Sequence, residues 1–207
     1  MKKIMMIAAM MLMSIGTFAQ NEIGQFTLKP KAGINLATMT DTQSPKMRVG
    51  AVAGVEGEYG ITETFGLSAG VLYSMQGVKF ETSKSAQGIT ATAEETWKLD
   101  YINIPILAKA YLFKGFAVNV GVQPGFCVSK KYDIELSAAG QSVNSSSKED
   151  GIQSFAFSIP LGLSYEYEGF VLDARYNWGI TKAFKSEFGY DSKHSWFQFT
   201  LGYKIPF

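Results

Sequence analysis

The sequence predicts an all-β protein: a transmembrane antiparallel up-and-down β-barrel of eight strands, with short periplasmic turns and long extracellular loops. Three observations carry that expectation. The last segment, Trp196 to Phe207, sets Phe197, Phe199, Leu201, Tyr203, Ile205 and Phe207 on one parity, and a strand's period of two gathers them on one apolar face. Seven earlier segments alternate in the same way, each of about the 9–11 residues a tilted barrel strand needs. After the first 19 residues no stretch approaches 18 consecutive apolar residues, which excludes helical spans.

The chain has 207 residues and opens with Met1-Lys2-Lys3, an apolar run from Ile4 to Ile15, and small residues before Gln20. A basic start, a short apolar core and Thr17 and Ala19 at the −3 and −1 positions form the pattern of a cleavable signal peptide. We therefore expect residues 1–19 to be a signal peptide and 20–207 to be one barrel domain. Losing Lys2 and Lys3 leaves 17 basic against 18 acidic residues and a net charge of −1. Such a balance offers no basic surface for nucleic acid. Cys127 is the single cysteine, so no intrachain disulfide forms, and it reads as a small lumenal or core filler.

The segments follow in order. The first sets Leu28, Pro30, Ala32, Ile34 and Leu36 against Lys29, Lys31, Gly33 and Asn35; the second sets Met47, Val49, Ala51, Ala53, Val55 and Tyr59 against Arg48, Gly50, Gly54, Glu56 and Glu58. In the third, Phe65, Leu67, Ala69, Val71 and Tyr73 oppose Gly66, Ser68, Gly70, Ser74 and Gln76. The fourth carries Ile102, Ile104, Ile106, Ala108, Ala110 and Leu112, but Trp97 and Leu99 fall on the other parity; a bulge near Leu99-Asp100 would restore the pattern. The fifth runs from Phe116 to Phe126 and the sixth from Phe155 to Tyr167. The seventh pairs Phe170, Leu172, Ala174, Tyr176, Trp178 and Ile180 with Asp173, Arg175 and Asn177 behind.

Connections alternate between short (60–64, 114–115, 168–169) and long (38–46, 78–96, 128–151, 181–194), the outer-membrane arrangement. An even strand count then puts both termini in the periplasm. Aromatic residues flank both ends of the strands: Tyr59, Phe65, Phe113, Phe116, Tyr167, Phe170 and Phe207 by the short turns, and Tyr73, Trp97, Phe126, Phe155, Trp178 and Trp196 by the long loops. Two such belts match the interfacial girdles of a membrane barrel. A soluble barrel with its apolar stripe inside is the competing arrangement. Eight strands leave an interior only just wide enough for side chains, and glycines recur on the charged stripe, so that stripe is the inner one. Lipid contact would cost each midplane Arg or Lys about 2–4 kcal/mol.

The charged stripe comprises Lys29, Lys31, Arg48, Glu56, Glu58, Lys109, Glu166, Asp173, Arg175 and Lys204. We expect Arg48, Glu56, Glu58, Lys109, Glu166, Asp173 and Arg175 to form a structural polar network that fills the lumen with ion pairs. A conducting lining is the alternative use of the same charges. His194 and Ser195, with Asp191 and Glu187 nearby, contain the elements of a serine nucleophile and base, though solvated loop residues are the plainer reading. One His and one Cys build no N/S metal site, and Glu94-Glu95 or Glu149-Asp150 read as exposed loop tips before they read as Ca²⁺ ligands. No catalytic residue, metal site or cofactor site is therefore assigned. Period two persists in Val78–Thr82, Ile89–Ala93 and Tyr132–Leu136, so strands should continue beyond the membrane as protruding hairpins whose edges can recruit partners.

The chain resembles the PorT-like outer-membrane β-barrel family, the Bacteroidota type of outer membrane barrel domain. The resemblance rests on Lys31-Ala-Gly-Ile-Asn35, on Leu99-Asp-Tyr-Ile-Asn-Ile-Pro-Ile106 with Lys109 and Tyr111 following, on Gly121-Val-Gln-Pro-Gly125, and on the Phe-terminated last strand. It covers all of 20–207 and implies fold and cell outer membrane location. Some members take part in protein secretion, but the resemblance lies in strands and function lies in loops. The sequence thus leads to a non-enzymatic envelope or surface-interaction protein, with a narrow porin and a lipid-modifying enzyme as alternatives. Expected partners are outer-membrane lipid, the barrel-assembly machinery, which would read Tyr203 and Phe207, and an extracellular ligand at the loops.

Overall fold

Alternating apolar and polar residues without helix-forming periodicity leave only extended structure available to this chain, and a computed structural model shows that outcome. It describes residues 23–39, 46–86, 89–138, 141–148, 153–182 and 193–207. The strands are β1 (Phe26–Met39), β2 (Lys46–Gly60), β3 (Phe65–Ala86), β4 (Ile89–Asn103), β5 (Ile106–Phe113), β6 (Phe116–Ala138), β7 (Gln141–Lys148), β8 (Phe155–Tyr167), β9 (Phe170–Lys182), β10 (Lys193–Tyr203) and β11 (Ile205–Pro206). All pairings are antiparallel, and β10 pairs with β1 from Lys31↔Gly202 to Met39↔His194, which closes the ring. Closure leaves no edge in the membrane, where an unpaired backbone would be costly.

Eight staves make the ring, because two are interrupted. Pro105 lacks an N–H and divides β4 from β5; Ile104 N donating to Pro124 O (2.8 Å) and Gly70 N donating to Pro105 O (3.1 Å) hold the two halves in one line. Lys204, whose N–H donates to Gly169 O (2.7 Å), separates β10 from β11. Turns at one end are tight: Gly115 (φ 73°), Glu168 (φ 49°) and Gly169 (φ 82°) take the left-handed conformations that two-residue hairpins need. At the β1–β10 seam the strands approach so closely that a Cβ on Gly33 would lie 1.9 Å from Phe199 O.

Phe65, Leu67, Val71, Phe170, Leu172, Phe199 and Leu201 point outward and are exposed, whereas Lys29, Glu56, Glu58, Lys109, Asp173 and Arg175 are buried. The molecule is inverted relative to a water-soluble barrel: its apolar stripe is the outer surface. Among the described residues no helix is long and apolar enough to cross a membrane, and the strands supply the crossing.

Two expectations need correction. The parity break in the fourth segment is not repaired within β4, because Leu99 and Tyr101 both turn inward and pack with Val78 as an apolar cluster in the lumen. The irregularity lies in the pairing, where Asp100↔Ser129 gives way to Tyr101↔Cys127 and leaves Val128 as the extra residue. Trp97 packs on that cluster and Trp196 is 3% exposed, so neither belongs to an outer girdle. As the period-two pattern of these stretches anticipates, 78–96 and 128–151 are largely strand: β3 and β4 pair out to Ala86↔Ile89, and β6 continues to Ala138 against β7.

Candidate functional site

The lumen divides into two zones set by which inward residue each strand supplies. Near the short turns, β1, β2, β5, β8, β9 and the β10–β11 junction contribute charges. Glu58 accepts from Lys29 Nζ at 2.6 Å and Lys109 Nζ at 2.8 Å; Glu166 accepts from Lys29 at 2.7 Å and Lys204 at 3.0 Å. The Tyr111 hydroxyl donates to this pair of carboxylates. One layer up, Arg175 grips Glu56 with two bonds, Nη1 to Oε1 at 2.6 Å and Nη2 to Oε2 at 2.8 Å, and donates to Asp173 Oδ2 through Nη2 at 2.8 Å. Lys31 adds a bond to Glu56 at 2.7 Å, and Asn119 donates to Asp173 at 3.2 Å.

Above the charges the lining changes to amides and hydroxyls. Asn35, Asn103, Asn177, Gln123, Gln198 and Thr200 are all buried, and several of their polar atoms have no hydrogen-bond partner among the described residues. The apolar cluster of Val78, Leu99 and Tyr101 lies beyond it. Ions in transit would have to displace the salt-bridged layer, where both signs are already satisfied.

Six of the seven lumenal residues anticipated from sequence, Glu56, Glu58, Lys109, Glu166, Asp173 and Arg175, meet in these two layers. Arg48 stands apart. A register shift between Met47 and Val52 distorts β2 there, and the Arg48 guanidinium donates to Gln76 O near the long-loop end. The participants that sequence reasoning missed are Tyr111 and Asn119; their inward parity beside Lys109 and on β6 was the available signal. Tyr203 and Phe207 face outward, with Tyr203 against Phe170 (ring centroids 5.3 Å) and Phe207 against Phe26 (6.4 Å).

His194 and Ser195 are 5% and 2% exposed, which overturns their reading as solvated loop residues. They open β10 where its pairing with β9 shifts, and His194 packs edge-on to Tyr101 at 5.9 Å. Neither the imidazole nitrogens nor Ser195 Oγ has a hydrogen-bond partner among the described residues, so no nucleophile–base pair is assembled. Asp191, Glu187, Glu149 and Asp150 lie outside the described residues, as do the signal segment and its cleavage point. Glu94 and Glu95 are consecutive on β4, so their side chains take opposite faces and cannot converge on one ion. Among the described residues no group of three or more such ligands gathers.

Beyond the ring, β3, β4, β6 and β7 continue as a four-stranded sheet, paired through Glu81↔Glu94, Glu94↔Glu135 and Glu135↔Asn144. Trp97 and Tyr132 pack together on one face, their rings tilted at 49° (centroids 4.6 Å). The other face carries the ion pairs Lys46–Glu81, Lys79–Glu94 and Lys98–Asp133. The hydrogen bond from Lys79 holds the Glu94 carboxyl below its ordinary value.

A closed ring with a lipophilic exterior and a salt-bridged interior defines an integral outer-membrane β-barrel. Residues 18–185 match the family described as outer membrane protein beta-barrel domain, and the chain belongs to that family. No curated protein matches it. Among solved structures it is similar to Ail, the attachment invasion locus protein of Yersinia pestis (13% identity, 88% of this chain and 99% of that chain, TM-score 0.45). It is also similar to Neisserial surface protein A (14%, 87% and 97%, TM-score 0.46). A third similarity is to the N-terminal barrel of Pseudomonas aeruginosa OprF (10%, 88% and 98%, TM-score 0.36).

Proposed function

We propose that this barrel is a non-enzymatic, non-conducting anchor that presents the β3–β4–β6–β7 sheet outside the cell to a surface partner. The observation that carries the reading is the free edge of that sheet: among the described residues β7 pairs with β6 alone. An unpaired strand edge offers a row of backbone donors and acceptors to an incoming strand. The doubly paired Arg175 and the unassembled His194 and Ser195 support the absence of a pore and of catalysis.

Within its family we assign the chain to the PorT-like branch, on the Ile-Pro strand around Pro105 and the Phe207 terminus. We place the signal peptide at residues 1–19, both termini in the periplasm and the sheet outside, because short turns and long hairpins segregate to opposite ends. The barrel-assembly machinery would read Tyr203 and Phe207. Deleting residues 80–93 and 132–147 should abolish capture of a surface partner while the shortened barrel still inserts and runs as a heat-modifiable band. Unchanged surface binding and envelope phenotype in that deletion would refute the proposal.

A further inference from the structure

Strand edges that face water are ordinarily guarded by charges, by proline or by bulges that turn the edge away. β7, Gln141-Ser-Val-Asn-Ser-Ser-Ser-Lys148, has no proline and a single charge at its last position. Its pairing with β6 runs from Ala138↔Gln141 to Lys131↔Lys148 without a register shift, so no bulge deflects the outer edge. Among the described residues nothing else pairs with it. The edge is open to another strand.

The register of the sheet decides how a second copy of β7 would fit. Lys98 stands opposite Lys131 and Lys131 opposite Lys148; farther from the barrel, Glu81 stands opposite Glu94 and Glu94 opposite Glu135. Each sheet thus carries a basic row at its base and an acidic row nearer its tip. Two β7 strands paired parallel and in register would join each row to its own duplicate, Lys148 opposite Lys148. Like charges directly across a sheet destabilise it, so a parallel pair is disfavoured.

Antiparallel pairing removes the conflict. A two-fold axis perpendicular to the sheet keeps each residue on its own face, so residues that face one another share a parity. With the axis at Ser145, which is exposed as is Ser147, Ser145 meets its own copy, Ser146 meets Asn144, Ser147 meets Val143 and Lys148 meets Ser142. The basic row of one sheet then runs into Ser142 and its neighbour Ser137 on the other. Direction also places the second copy. Barrel strands climb at about 35–45° to the membrane normal, and a two-fold along that normal leaves both strands climbing. Antiparallel alignment needs a two-fold in the membrane plane, which puts the second barrel in a facing membrane.

We propose that β7 pairs antiparallel with β7 of a second copy in an apposed membrane, about a two-fold axis at Ser145, and so joins two protruding sheets into one across the gap. This inference rests on the reading that the sheet edge recruits a strand from outside, and it names that strand. The test uses the full-length barrel in phosphatidylcholine vesicles. Clustering is followed by light scattering, and heat-modifiable migration confirms that each variant is folded.

Wild-type vesicles should cluster with one another and not with protein-free vesicles. S145K and S145E vesicles should each cluster about fivefold less by themselves, because each sets like charges across the axis, and a mixture of the two should regain wild-type clustering. V143K/S147E sets Lys opposite Glu only in the antiparallel register and should cluster by itself as the wild type does. Clustering onto protein-free vesicles, or no gain on mixing S145K with S145E, would overturn self-pairing; dispersed V143K/S147E vesicles would overturn its antiparallel register. Wild-type vesicles that stay dispersed, while deletion of 80–93 and 132–147 still abolishes capture of a surface partner, would leave the edge to a foreign strand and overturn the second copy alone.

Discussion

Arg175 shows how a single residue becomes indispensable in a space this narrow. It is buried, bonded to Glu56 twice and to Asp173 once, and its loss would leave those buried carboxylates without their guanidinium partner. Truncating one member of a buried ion pair costs about 3–5 kcal/mol because the survivors stay charged and unpaired. Arg175→Ala should lower barrel stability by about that amount in urea unfolding from micelles. A loss below about 1 kcal/mol would show that the pair is solvent-screened. Lysine at this position would keep the charge but forfeit the planar two-bond grip on Glu56.

At the scale of elements, strand identity was legible wherever one face meets lipid, because that face must be apolar without interruption. Phe65, Leu67, Ala69 and Val71 in β3, or Phe197, Phe199 and Leu201 in β10, admit no other parity. Legibility failed at the upper ends. Trp97, Leu99 and Trp196 are apolar residues turned inward, and parity alone cannot tell a lumenal aromatic from a girdle aromatic once the lumen itself has an apolar cluster. The C-terminal element behaves as its pattern implies: Phe207 N donates to Phe26 O at 2.9 Å and the two rings meet, so the last residue completes the seam with β1. Deleting Phe207 should slow or block outer-membrane assembly and leave the protruding sheet unaltered. Normal insertion of the deletion in cell-envelope fractions would show that the terminus is dispensable.

For the whole molecule, the ion-pair layers decide what the barrel can do. Five cations and four carboxylates occupy the lumen near the short turns, and an eight-stranded ring has no spare cross-section beside them. Purified protein in planar bilayers should show no stable single-channel steps; reproducible unitary conductance would place it among the narrow porins. The sequence by itself determined the class, the strand count and the inner and outer faces, because a membrane sorts residues by a period of two that survives in one dimension. It also identified six of the lumenal partners by that same parity. Only the tertiary structure decided who pairs with whom: Glu56 with Arg175 across the barrel, Tyr111 between Glu58 and Glu166, and Arg48 released to the rim by a register shift. Those contacts join strands far apart in the chain, and the alignment of Lys98 with Lys131 and Lys148 depends on strand register, a quantity fixed by cross-strand hydrogen bonds and a bulge at Val128 that leave no local trace in sequence.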